Sequence, residues 1–129
     1  MSLDEDELIG VWSRGAGYYA TFSEEFLIFK PDGTGRLEFL VALQHDSVKC
    51  FRWRIVSPGV LDLIGESNFH FTSVPYSVAE KERPPGTGQW MQVLQFGSSL
   101  PWPSDLGLVT KDVSEWERQQ GSVSETDRA

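Results

Sequence analysis

The chain has a single cysteine, Cys50, and two histidines, His45 and His70, among 129 residues. One cysteine excludes a disulfide framework or a cysteine-based zinc cluster within the chain. Cys50 lies inside a strand-like run with no histidine beside it in sequence, and it reads as a half-buried structural thiol. Two isolated histidines with mismatched neighbours do not compose a metal site. Basic residues are also few: 11 Lys and Arg stand against 19 Asp and Glu, a formal charge of −8. Phosphate backbones are bound through Lys and Arg, so nucleic acid is not an expected partner, and an anionic membrane surface is disfavoured. A cationic partner fits the charge, as does solubility alone. No apolar run approaches membrane-spanning length. The acidic opening MSLDEDELIG lacks the basic start and apolar core of a signal peptide, so the expected compartment is the cytoplasm.

Catalytic templates are missing as well. Pro31-Asp32-Gly33-Thr34-Gly35 carries glycines but neither the lysine nor the following helix of a phosphate loop. No G-x-S-x-G elbow occurs. Neither catalytic residues nor a cofactor are expected, and an enzyme ranks behind a binding protein.

Aromatic residues are plentiful, with five Trp, eight Phe and three Tyr, which suits strands whose side chains pack on a pleated surface. The chain is organised around Phe26–Leu43, two apolar runs split by Pro31-Asp32-Gly33. Proline presets φ, aspartate bonds back to its own backbone, and glycine takes positive φ, so this segment reads as a hairpin. Similar punctuation recurs along the chain. A short helix is expected over Ser2–Leu8, and a first strand begins at Ile9, breaks at Gly15 and Gly17 and resumes over 18–22. Further strands are expected over about 48–56, 60–64, 68–79, 89–96 and 106–110, with Pro75 marking an irregularity. Residues 80–88 (EKERPPGTG) and 98–104 read as loops, and Asp112 with Glu115 as the cap of a short helix carrying Val113 and Trp116. One domain spans 1–120, and a polar tail at 121–129 is expected to be disordered.

Turns centred on His45–Ser47, Ser57–Gly59 and Gly65–Ser67 predict one register. Phe39, Trp53, Leu63 and Phe69 then face one another across four strands, as do Leu37, Ile55, Leu61 and Phe71. Glu38, Arg54, Asp62 and His70 form a polar row on the opposite face. The apolar rows belong inside, because burying the charged row instead would carry a heavy desolvation cost. Asp62 beside His70 reads as a solvated surface pair rather than an acid–base couple.

Gly10-Val11-Trp12, a G-x-W at the start of the first strand after a short helix, resembles the lipocalin-like (calycin) barrels. The resemblance covers roughly residues 3–111. It implies that Trp12 closes the barrel base under a late basic residue, here Lys111 or Arg118, and that the interior takes a small apolar ligand. Fatty-acid-binding relatives hold a carboxylate with interior arginines, which would place Arg54 inside. The segment GVWSRGAGYY is also similar to the opening of nitrobindin-type haem barrels, but no histidine after His70 is available to bind haem.

The expected fold is all-β, a small antiparallel up-and-down barrel of about eight strands with short terminal helices. The expected function is non-enzymatic binding of a small apolar or amphipathic ligand against Phe39, Phe51, Trp53 and Phe71. The alternative is a protein-interaction module with a filled core, making contacts through the 80–88 loop, the Trp102 segment or the acidic ends.

Overall fold

A computed structural model describes residues 7–16, 23–41, 44–65, 69–97 and 105–118. Its strands are β1 (Gly10–Ser13), β2 (Ser23–Phe29), β3 (Thr34–Val41), β4 (Gln44–Ser57), β5 (Val60–Gly65), β6 (His70–Glu82), β7 (Trp90–Phe96) and β8 (Asp105–Thr110). Each pairs antiparallel with the next, and β8 pairs with β1, so the sheet is a closed meander barrel. A short helix, α1, follows at 113–118.

Local chemistry sets the turns. At the β2–β3 hairpin the Asp32 carboxylate accepts hydrogen bonds from the Thr34 hydroxyl (2.6 Å) and the Thr34 N–H (2.9 Å), and Gly33 takes φ 87°. Those bonds hold the Asp32 carboxyl below its ordinary range. Gly10, at φ 149°, sits on the closing seam, where a Cβ would lie 2.9 Å from the Thr110 carbonyl oxygen. Beside it, Trp12 is fully buried and donates its indole N–H to the Leu8 carbonyl at 2.9 Å. Of the basic residues expected to cover Trp12, Lys111 donates to the Glu7 carbonyl at 3.4 Å, and Arg118 is exposed at the end of α1.

Two long strands close the barrel by changing neighbours. β4 pairs with β3 over 44–52 and with β5 over 51–57; β6 pairs with β5 over 70–75 and with β7 over 76–82. This supplies the stagger that closure requires.

The expected register holds at β4–β5, where Trp53 faces Leu63, Arg54 faces Asp62 and Ile55 faces Leu61. It fails on both sides. Phe39 lies opposite Ser47, not Trp53, and Glu38 opposite Val48, not Arg54. The stretch His45–Ser47 is no turn but part of β4, which runs unbroken for 14 residues. At β5–β6, Phe71 faces Leu63 and His70 faces Ile64, so neither Leu61 with Phe71 nor Asp62 with His70 is a pair. A bulge between Leu61 and Leu63 moves the register, and opposite it Ser73 adopts φ 53° and donates its N–H to Asp62 at 2.9 Å. Across the predicted rows both slips are by an even number of residues, so those side chains keep their expected faces, whereas past the bulge the alternation of β6 inverts and Val74 and Tyr76 turn inward.

The inner wall carries the main core, including Trp12, Leu27, Phe29, Leu37, Phe51, Trp53, Leu63 and Leu94. Outside, α1 lays Val113 and Trp116 over Val11, Phe26 and Ile28. Its expected cap is present, with Asp112 accepting from the Glu115 N–H at 3.0 Å. Cys50 is exposed, contrary to expectation, because Phe51 takes the inward position beside it. Strand β6 continues through Glu82, so the expected loop over 80–88 starts three residues late. The expected helix at 2–8, apart from Glu7 and Leu8, lies outside the described residues, as do the strand over 18–22, the 98–104 segment with Trp102, and the 121–129 tail.

Candidate functional site

The four residues chosen for the ligand wall all face inward, but they occupy two environments. Phe51 and Trp53 are buried, whereas Phe39 and Phe71 are half-buried against the same core. The buried pair belongs to a continuous run of ring contacts. Trp53 meets Phe29 edge-on at 5.3 Å, Phe29 meets Phe51 at 5.8 Å, and Phe51 stacks on Phe69 at 5.2 Å with 8° between planes. Phe69 then meets Phe71 edge-on at 5.3 Å. Two glycines make room for this run. A Cβ on Gly35 would lie 2.6 Å from the Phe51 ring, and one on Gly65 3.1 Å from the Phe69 ring. The Trp53 indole N–H is shared between the carbonyls of Thr34 (3.0 Å) and Lys30 (3.2 Å), which fixes its plane.

Lys49, which sequence reasoning passed over, lies directly opposite the inward-facing Leu37. Residues paired in this way point to the same side of a sheet. Lys49 is exposed, has no ion-pair partner among the described residues, and leaves the strand on the inward side two residues from Phe51.

The polar face is outside, which excludes an interior Arg54. The Arg54 side chain is 75% exposed and meets Asp62 at 3.2 Å. Not all of that face is solvated, however: Glu38 and Asp62 are both buried. Arg36 bonds Glu38 at 2.7 Å and Glu117 of α1 at 2.6 Å, and Lys30 reaches the same Glu117 oxygen at 2.8 Å. Burial opposes charge at both Arg36 and Glu117, but their mutual bonds outweigh it. The guanidinium is held above its usual value and the Glu117 carboxyl below its own.

A third region lies where β6 meets β7. The Glu82 carboxylate accepts from the N–H groups of Gly86 (2.8 Å) and Gly88 (2.7 Å), which lowers its pKa and organises the loop. Arg83 is buried and clasps the turn after β1, donating to the carbonyls of Ala16 (2.7 Å) and Arg14 and to Asp105 (3.1 Å). Gly107 makes this possible, since a Cβ there would lie 3.0 Å from the Arg83 Nε. Next to this loop Trp90 is 60% exposed. Loop composition alone gave no sign of the Arg83 clasp, because its carbonyl acceptors lie 67 and 69 residues away and Asp105 lies 22 away on β8.

Among the described residues no three His, Cys, Asp or Glu side chains gather as metal ligands, and no helix is long and apolar enough to cross a membrane. No protein-family model matches the chain, and no curated protein or solved structure matches it either.

Proposed function

We propose that the protein is a calycin-like binding barrel that takes a small apolar or amphipathic molecule against its inner face at Phe39 and Phe71. The observation that carries this reading is that these two rings point inward yet are only half-buried. Phe51 and Trp53 act behind them as a rigid backing, since their neighbours already occupy their faces. Lys49 on the same face gives an amphipathic ligand with an acidic head a place for its charge. Small-molecule sites in general are largely apolar with a few placed polar groups.

N-phenyl-1-naphthylamine, a neutral apolar fluorophore, tests the reading. It is expected to bind saturably to the native protein, with binding weakened by Phe39→Ala and by Phe71→Ala. Binding unchanged in both variants contradicts the proposal. A second reading, a protein-interaction module, is favoured by Trp90, which stands exposed at the start of β7, because tryptophan is enriched among interface anchors. Under that reading Trp90→Ala, and neither phenylalanine variant, removes binding.

A further inference from the structure

The outer wall of β3–β5 carries a recess of about 400 Å3 whose lining includes Lys30, Thr34, Arg36, Cys50, Arg52 and Ile64. Three cationic side chains and no carboxylate line it, although the chain as a whole carries a net charge of −8. The recess next to it, about 520 Å3, shares Arg52 and Ile64 but is balanced, with Asp32 and Asp62 beside Arg52 and Arg54. The charge asymmetry is therefore confined to the first.

The three cations differ in how far they are already matched. Lys30 shares Glu117 with Arg36, and Arg36 also holds Glu38. Arg52 is exposed and has no ion-pair partner among the described residues. It stands in an outward cross-strand row with Thr34 on one side and Ile64 on the other. Thr34 offers a hydroxyl, and Ile64, 36% exposed, offers apolar surface. The Arg36 bonds use its Nε and Nη1, which leaves donors on Nη2. A planar guanidinium with free donors matches the two oxygens of a carboxylate or phosphate in a bidentate pair.

We propose that this outer recess binds a small organic oxyanion, a phosphate or carboxylate on a compact apolar body, with Arg52 as its anchor and Ile64 against its apolar part. The site lies on the face opposite Phe39 and Phe71 and stands independently of the function proposed above.

Cys50 makes the proposal measurable, because the chain's single thiol lines the recess and is exposed. Its alkylation by neutral iodoacetamide is followed with and without phenyl phosphate, and the two rates are compared within each variant so that changes in thiol reactivity cancel. Phenyl phosphate at about ten times its dissociation constant is expected to slow alkylation about tenfold. Benzoate is expected to protect as well, with the relative potency showing which oxyanion is preferred, whereas phenol gives no protection. Arg52→Gln should abolish protection, and Arg54→Gln, which alters only the balanced recess, should retain it. Circular dichroism of both variants checks that each remains folded. Absence of protection in the native protein, equal protection by phenol, or protection that survives Arg52→Gln overturns the proposal.

Discussion

The inner wall holds two groups of aromatic rings that look alike in sequence and differ in what surrounds them. Phe29, Phe51, Trp53 and Phe69 form a continuous run of contacts and are almost wholly buried, with Phe51 and Phe69 over glycine notches. Phe39 and Phe71 point the same way but remain half-buried. Rings of the first kind have their faces occupied by the chain itself, so their contribution is to stability. Rings of the second kind retain apolar surface that a ligand can cover. The number of inward aromatics thus says little about binding; what matters is how much of each ring the chain itself already covers.

Substitution within each group separates them. Phe51→Ala removes a buried ring touching Phe29 and Phe69 and leaves a cavity, an expected loss of about 3–5 kcal/mol in urea denaturation. Gly35→Ala drives a methyl group against the Ile28 carbonyl oxygen and into the same ring, and overpacking of this kind costs about 1–3 kcal/mol. Phe39→Ala is expected to cost less than Phe51→Ala, since part of its ring surface is already in water. Equal losses for Phe39→Ala and Phe51→Ala would erase the distinction.

A smaller effect comes from the outer wall, where α1 covers β1 and β2 and ties down Arg36. Glu117→Gln removes the carboxylate shared by Arg36 and Lys30, and for a pair of this exposure the loss is about 0.5–1 kcal/mol at neutral pH. The Glu117 carboxyl is lowered on folding, so its stabilisation is complete above the unfolded value of about 4.3 and is lost as pH falls through the lower folded value. The stability difference between native protein and Glu117→Gln should therefore shrink in acid. A difference that persists undiminished well below pH 4 would show that the variant acts through packing.

Much of this architecture was legible in the chain because turns and alternation are local. Pro58-Gly59 placed β4 against β5 in the right register, and Pro31-Asp32-Gly33 marked its hairpin. The polar residues His45–Ser47 misled, since a sheet extension tolerates a sequence that also suits a turn. The bulge opposite Ser73 depends on Asp62 finding a backbone donor across the sheet, which local pattern does not encode. Faces survived both errors, and so the inward direction of Phe39, Phe51, Trp53 and Phe71 was readable. Which of them would be packed over was not, because it depends on Phe29, Phe69 and two glycines brought in from other strands. Arg83 and Arg52 escaped notice for the same reason, as their surroundings exist only in the closed barrel.

The most direct test of inner-face binding is a titration of 15N-labelled protein with N-phenyl-1-naphthylamine, followed by amide chemical shifts. The account predicts saturable shifts that are largest at Phe39, Phe71 and Lys49, with Trp90 and the 83–89 loop unmoved. Shifts centred on Trp90, or none that saturate, would contradict it.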